Sequence, residues 1–299
     1  MTRDFQRYLA AKRSVDDRAL DRRLLDDLQT QLTRRGSAID GQLRVLEVGA
    51  GIGTMLTRFL DWDLLPPGEI QYTAVDLNGE NIEALAPHCR EWAQDRAASV
   101  TGPDPLVIET DDYRIEVTTV VGEASAYATD HVAEFDLLVG VALLDIFDLD
   151  SLPTLLRALP PGGLYYFPII FDGATRFLPA HPADEHVVSR YHAHMDQKPG
   201  GDSRAGQAVI EQLQHSQDTK LRGVAGSDWF VQPVEGKYPA DEAYFLSHIV
   251  DTVESAVGEM PDTDPAVLSE WLKSRREQLS AAELSYLTHQ LDVLGRVVR

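Results

Sequence analysis

Apolar residues at the start of the chain recur at helical spacing. Between residues 5 and 35, leucine and valine recur about three or four positions apart, and charged residues lie between them. This pattern is typical of an amphipathic helix that covers a core. Residues 1–39 are therefore predicted to form an N-terminal helical cap.

Short β-rich runs alternate with helical patterns over the next part of the chain. The predicted strands cover residues 43–49, 70–76, 106–109 with 115–121 as a hairpin-like pair, 135–141 and 164–171. Helical patterns lie between them at 55–60, at 78–97, where Pro87 is a potential break, and at 152–159. This alternation predicts an α/β fold, doubly wound, with a mostly parallel sheet and helices on both faces. The core is assigned to residues 40–171.

The strand pattern lapses between residues 172 and 226, where histidine, glycine and charged residues cluster. We interpret this segment as an insertion that covers the substrate. Residues 227–233 are predicted as a sixth strand, followed by helices at 241–257 and 264–279. Residues 284–294 fit either a seventh strand or another helix, so 227–299 would complete the core sheet.

The length of the chain and its short apolar runs argue against a membrane-spanning protein. The chain has 299 residues, and its apolar stretches are far shorter than the roughly 20 residues that span a bilayer. The first residues lack the pattern of a secretion signal, so a cytoplasmic location is expected. The one cysteine, Cys89, excludes an internal disulfide and a cysteine-rich zinc site.

The charge balance limits the partners. Asp and Glu number 48 against 27 Lys and Arg, which gives a formal charge of −21. Such a field repels phosphate backbones and anionic membranes, so a small-molecule substrate is expected rather than nucleic acid or membrane. Only five basic residues are lysines, a pattern that fits a salt-loving organism or an ordinary acidic bacterial protein equally well. A homodimer is compatible with the sequence.

The most specific motif is the segment Glu47–Thr54, which reads Glu-Val-Gly-Ala-Gly-Ile-Gly-Thr and joins the first strand to a helix. Glycines suit a tight turn in which a ligand lies against the backbone. A dinucleotide fingerprint has the spacing G-x-G-x-x-G. Here the spacing is G-x-G-x-G with an acidic residue two positions earlier, which favours a cofactor with an ammonium group over a pyrophosphate.

In this segment the chain resembles the class I S-adenosylmethionine-dependent methyltransferase family. The resemblance implies that the loop cradles the methionine part of S-adenosylmethionine, with Glu47 oriented toward it directly or through water. It also implies that Asp76, at the end of the second strand, binds the ribose hydroxyls, and that Glu123 lies near the adenine amino group. The full set of implied cofactor residues is Glu47, Gly49, Ala50, Gly51, Gly53, Thr54, Asp76, Leu77, Glu123, Ala124, Gly140 and Val141.

The family ends its sheet with a hairpin of the sixth and seventh strands, the last antiparallel to the rest. In this chain two predicted helices separate the candidate strands, which departs from that pattern. The activity implied is methyl transfer to an O, N or C nucleophile of a small molecule. The alternatives are a non-catalytic cofactor-binding module, a nicotinamide-dependent oxidoreductase on a similar sheet, and aminopropyl transfer.

Methyl transfer needs aligned reactants and, for a hydroxyl or amine acceptor, a group that takes a proton. The candidates are His194 first, His192 second, and Asp145, which follows the fourth strand. Partly exposed loop histidines and a solvated helix-end carboxylate are the alternative interpretations. The His-x-His pair lacks the spacing of a complete ligand set, so no metal site is predicted.

Two further groups have competing interpretations. Lys12, Arg13 and Arg18 could fold over the cofactor carboxylate, or they could be surface charges. Trp229, together with Phe230, Tyr238 and Tyr244, could line an apolar pocket or belong to the core.

Overall fold

The computed structural model describes residues 2–36 and 41–299. Residues 1 and 37–40 lie outside the described residues, and they include the end of the predicted cap and the first residue of the predicted core. The described strands are β1 (Leu43–Val48), β2 (Gly68–Asp76), β3 (Ala98–Thr101), β4 (Leu106–Thr110), β5 (Tyr113–Val121), β6 (Leu137–Val139), β7 (Leu164–Leu178), β8 (Thr219–Gly226), β9 (Trp229–Val231) and β10 (Ser285–Val297). The described α-helices are α1 (Thr2–Ala19), α2 (Arg22–Gly36), α3 (Thr54–Asp61), α4 (Gly79–Ala93), α5 (Ala124–Asp130), α6 (Leu152–Leu156), α7 (Asp184–Gln197), α8 (Ala205–His215), α9 (Glu242–Gly258) and α10 (Pro265–Ser280).

The strands form one sheet in the order β3-β4-β5-β2-β1-β6-β7-β10-β8, and β9 also pairs with β10. Strands β5, β2, β1, β6 and β7 are mutually parallel. Strand β10 is antiparallel to β7. The chain passes from β1 to β2 and β5 on one side and later to β6 and β7 on the other. This reversal creates a crevice at the carboxyl ends of the central strands, where ligands of open α/β sheets bind.

The doubly wound α/β class is confirmed, with apolar clusters on both faces of the sheet. The predicted number of strands was wrong, because the described residues form ten strands rather than seven. The additional strands include β3, which extends the predicted hairpin, and β8 at the opposite edge. Residues 284–294 are strand rather than helix, within β10.

The segment 172–226, predicted to be an insertion that covers the substrate, contains regular secondary structure. Strand β7 runs on to Leu178, helices α7 and α8 follow, and β8 completes the sheet. Strand β8 was not predicted, because this half-exposed edge strand is polar and lacks the apolar run that indicates a buried strand. Its Gly223 lies where α2 passes close, since a Cβ there would approach Leu24 Cδ2 at 2.5 Å. The predicted sixth strand corresponds to the short β9.

The N-terminal cap consists of two helices that break at Leu20. Asp21 caps the second helix, because its Oδ1 accepts a hydrogen bond from the Leu24 N–H at 2.9 Å. The Asp21 N–H also donates to Asp292 on β10 at 2.9 Å. The junction of the two helices is therefore attached to the end of the sheet that β10 completes.

Helix α1 is attached to α3 through buried ions. The guanidinium of Arg58, which is fully buried, contacts Asp16 at 3.2 Å and Asp17 at 2.5 Å. Lys12 contacts Asp16 at 2.8 Å. These pairs hold α1 over the carboxyl edge of the sheet. None of the described helices is long and apolar enough to span a membrane.

Candidate functional site

A cavity of about 1100 Å³ lies at the carboxyl ends of the central strands, between the sheet and helices α1 and α9. Its walls differ in chemistry on two sides. The glycine side comprises residues near the ends of β1, β2 and β5: Gly49, Gly51, Asp76, Leu77, Asn78, Asn81, Gly122, Glu123, Ala124 and Ser125. The aromatic side comprises residues from elements distant in sequence: Tyr8, Lys12, Asp145, Tyr191, Trp229, His248, Tyr286 and Gln290.

The glycine turn after β1 adopts a backbone that favours glycine. The φ angles of Gly49, Gly51 and Gly53 are +64°, +56° and +82°. A Cβ on Gly49 would lie 3.0 Å from Leu143 Cδ1, and one on Gly51 would lie 3.2 Å from Leu9 Cδ1. The turn therefore needs glycine both for its left-handed conformation and for space.

Asp76 fixes this turn from the tip of β2. Its Oδ2 accepts the Gly51 N–H at 2.8 Å, and its Oδ1 accepts the Asn78 N–H at 2.8 Å. The Asn81 side chain donates to the same Oδ1 at 3.2 Å, and Gln6 on α1 donates to Asn81 at 3.0 Å. The carboxylate is buried except toward the cavity, and Oδ2 keeps acceptor capacity for a ligand.

Glu123 follows β5 and caps helix α5. Its carboxylate accepts the Ser125 N–H at 2.9 Å and the Ala126 N–H at 2.6 Å. Although partial burial raises the pKa of Glu123, these backbone donors outweigh it and hold the pKa below its usual range. The carboxylate is thus fixed and ionised at the rim of the cavity.

The structure brings seven of the twelve predicted cofactor residues to the cavity wall. These are Gly49, Gly51, Asp76, Leu77, Glu123, Ala124 and Val141. The other five, Glu47, Ala50, Gly53, Thr54 and Gly140, do not line it.

Glu47 lies beneath the turn rather than at the cavity. Its Oε2 accepts the Tyr72 hydroxyl at 2.7 Å within the core, and burial raises the pKa of Glu47 to about 7. The Glu47 side chain is therefore enclosed in the core and does not line the cavity. Its orientation toward the cofactor, directly or through water, stays a prediction.

The predicted catalytic residues separate in space. His194, on α7, contacts Glu259 at 2.9 Å and lines a smaller adjoining cavity of about 460 Å³. His192 contacts the Thr175 hydroxyl at 3.0 Å, its ring packs edge-on to Phe171, and it does not line the main cavity. Both histidines belong to a helix, not to a loop.

Asp145 lines both cavities. Its Oδ1 is buried and has no hydrogen-bond partner among the described residues. Burial raises the pKa of Asp145 to about 6, and a hydrogen bond from its own main chain and the charge of Lys12 oppose the increase. The carboxyl group therefore titrates just below neutral pH while it faces the interior of the cavity.

Sequence reasoning missed the aromatic residues that helices contribute. Tyr8 on α1 stacks on His248 of α9 with ring centroids 4.2 Å apart, and it also stacks on Phe245 at 5.6 Å. Burial raises the pKa of Tyr8, so its phenol stays neutral. Tyrosines at core-facing helix positions give no sequence signal for a site, because the same pattern indicates packing.

The basic residues of α1 have different roles. Lys12 lines the cavity but is held by Asp16, while Arg13 pairs with Asp61 at 2.6 Å and Arg18 with Glu242 at 2.6 Å. All three thus form ion pairs within the protein. In the part of the chain that the structure describes, no group of three or more His, Cys, Asp or Glu side chains is placed to hold a metal ion.

No model of a known protein family and no curated protein matches this chain. Among solved structures, it is similar to a SAM-dependent methyltransferase from Thiobacillus denitrificans in complex with S-adenosyl-L-homocysteine, at 16% identity and a TM-score of 0.45, with 93% of this chain and 92% of that chain covered. It is also similar to a putative methyltransferase from Bacillus halodurans, at 13% identity and a TM-score of 0.48, with 91% and 98% covered. Identities and TM-scores this low carry no information about activity, so the function must follow from the residues of the cavity.

Proposed function

We propose that this protein is an S-adenosylmethionine-dependent methyltransferase that acts on a small molecule. The observation that carries the proposal is the left-handed glycine turn whose Gly51 N–H is bound by the Asp76 carboxylate at the cavity wall. The glycines of this turn have the spacing G-x-G-x-G, which differs from the G-x-G-x-x-G spacing of a dinucleotide site. An acidic residue at the end of the second strand suits the ribose of either class of cofactor, so the spacing of the turn is what favours a nucleoside with an amino-acid tail.

The glycine side offers a surface for each part of this cofactor. The turn at Gly49 and Gly51 would hold the methionine part, and Asp76 would accept hydrogen bonds from the ribose hydroxyls. Leu77 and Ala124 would contact the adenine, with Glu123 as an acceptor for its amino group. When bound, the cofactor supplies an electrophilic methyl group carried by a sulfonium.

The chain's own residues would position the acceptor and exclude water. Helices α1 and α9 cover the carboxyl edge of the sheet, and rings of the aromatic side contribute apolar walls. Of the three predicted catalytic residues, only Asp145 lines the main cavity, so the proposal keeps Asp145 as the ionisable group that faces the acceptor. His192 and His194 are assigned to contacts of α7 with its neighbours.

Isothermal titration with S-adenosylhomocysteine tests the proposal. We expect saturable binding at one site, and we expect no binding of reduced nicotinamide cofactor under the same conditions. The reverse result, with the nicotinamide cofactor bound and S-adenosylhomocysteine not bound, contradicts the proposal. Cofactor affinity without turnover across a broad panel of acceptors would instead indicate a non-catalytic module.

A further inference from the structure

The aromatic side holds buried oxygen atoms without partners. Asp145 Oδ1 and Gln290 Oε1 are both buried and accept no hydrogen bond from the described residues, and both residues line the cavity. Buried polar atoms are nearly always paired, so an acceptor without a partner in a cavity wall indicates where a ligand donor binds. A ligand that fits this side brings hydrogen-bond donors to it.

The charge of Asp145 is not balanced by a neighbour. Lys12 is a cation whose charge acts on Asp145, but its Nζ donates to Asp16 at 2.8 Å. Lys12 and Arg58 are together matched by Asp16 and Asp17. Their positive charge is therefore already paired, and an ionised Asp145 adds one net negative charge.

The other polar groups beside Asp145 stay neutral. Burial raises the pKa of Tyr191 to about 12, with the Asp145 charge adding to the increase, and burial also raises the pKa of Tyr8. Their rings, with those of Trp229 and Tyr286, give this side faces that attract cations. One such contact exists within the protein, because Lys12 Nζ lies 5.1 Å from the Trp229 ring centroid.

We propose that the methyl acceptor carries a positively charged amine, and that this amine pairs with the Asp145 carboxylate among the rings of the aromatic side. The inference rests on the proposed function and names the class of its substrate. A protonated amine has no free electron pair, so the pairing recognises the acceptor and the methylated atom lies elsewhere on it. The amine would supply both the missing donor and the missing charge.

The test compares isosteric amines and alcohols. Benzylamine, phenethylamine and tryptamine are titrated against benzyl alcohol, phenethyl alcohol and tryptophol, with protein saturated by S-adenosylhomocysteine. We expect at least one amine to bind about tenfold more tightly than its alcohol, the scale of one charge-assisted hydrogen bond. Asp145→Asn should remove this preference. The control is Asp148→Asn, which should retain the amine preference. Asp148 lines the same cavity, and its exposed carboxylate accepts a hydrogen bond from the Asp150 N–H.

Three outcomes overturn the inference. They are equal affinity within every pair, absence of binding by all six compounds, and an amine preference that survives Asp145→Asn. If Asp145→Asn lowers the affinity for S-adenosylhomocysteine and leaves the amine preference intact, the Asp145 carboxylate binds the cofactor instead of the acceptor. The same titrations without cofactor separate the two proposals. An amine preference in a protein that does not bind S-adenosylhomocysteine refutes the proposed function and leaves an amine-binding site at Asp145 that serves another purpose.

Acidity gives a second readout. Because burial raises the pKa of Asp145 to about 6, the amine preference should decline as pH falls from 8 to 5, while an alkyl amine with a pKa of about 10 stays protonated. The other titratable groups of this wall are Tyr8, Lys12, Tyr191, His248 and Tyr286. A decline that persists in Asp145→Asn contradicts the assignment.

Discussion

The two sides of the cavity are built in different ways. The glycine side comes from short segments at the tips of three adjacent parallel strands, where main-chain conformation and two carboxylates form the surface. The aromatic side comes from α1, α7, α9, β9, β10 and the segment after β6 that contains Asp145, which are brought together only by the complete fold. Local sequence therefore specifies the first side, whereas long-range packing specifies the second.

The two sides also differ in how they are held. Hydrogen bonds to Asp76 fix the glycine side, and each spans a short loop or a neighbouring strand. The aromatic side depends on buried ion pairs that attach α1 to α3, with the Trp229 indole donating to Asp16 at 3.0 Å. Stability and ligand binding should respond differently to changes on the two sides.

The largest expected effect is on the attachment of α1. Arg58→Ala leaves buried Asp16 without one of its cations, and breaking a buried pair typically lowers the free energy of unfolding by about 3–5 kcal/mol. Urea unfolding measures this loss. The matched control is Arg276→Ala, which removes half-exposed pairs with Asp251 and Glu254 and should cost less than about 1 kcal/mol. Equal losses in the two variants would contradict a structural role for Arg58.

On the glycine side, Asp76→Ala should lower the affinity for S-adenosylhomocysteine about 100-fold, because it removes charge-assisted hydrogen bonds to the ligand and releases the Gly51 N–H. Isothermal titration measures the change. Asp95→Ala, at an exposed position beyond α4, is the control and should leave affinity unaltered. Retained affinity in Asp76→Ala would remove the assigned ribose contact.

Asp145→Asn should stabilise the protein without ligand. The folded-state pKa is raised to about 6, so ionisation of Asp145 opposes folding, fully above pH 6 and progressively less below it. We expect a gain of about 1–3 kcal/mol at pH 8 that shrinks toward pH 5. Urea unfolding at both pH values measures it, with Asp148→Asn as control. A loss of stability at pH 8 would show that the carboxylate is already paired.

Gly51→Ala should lower the affinity for S-adenosylhomocysteine about tenfold. A left-handed conformation costs alanine about 1 kcal/mol, and the added Cβ crowds Leu9. Titration measures this as well. Gly258→Ala, at the end of α9, adds a Cβ with no atom within 4 Å and should have no effect. If both substitutions are neutral, the turn does not cradle the ligand.

The smallest effect is expected at His194. His194→Gln should change turnover, with any acceptor found, by less than about threefold, because the ring contacts the exposed Glu259 in the adjoining cavity. Steady-state kinetics measures it, with Glu259→Gln as the matched variant at the other end of this contact. A large loss in His194→Gln alone would extend the site into the adjoining cavity.

The sequence predicted the α/β class, the positions of the core strands along the chain, and seven residues near strand ends that line the cavity. It did not determine the direction of the Glu47 side chain, because a carboxylate next to a glycine turn can point either into the cavity or into the core. In the structure Glu47 accepts a hydrogen bond from the Tyr72 hydroxyl in the core. Sequence reasoning ranked His194 above Asp145 as the proton acceptor, because histidine titrates near neutral pH and the sequence gives no distance from either residue to the cavity. It could not identify Tyr8 or His248, whose meeting depends on α1 crossing α9.

The central claim is that the glycine turn and Asp76 bind a nucleoside with an amino-acid tail. A crystal structure with S-adenosylhomocysteine tests it most directly. The account predicts ribose hydroxyls on Asp76 and the homocysteine part against Gly49 and Gly51. Ligand density elsewhere in the molecule, or Asp76 turned away from any sugar, would contradict it.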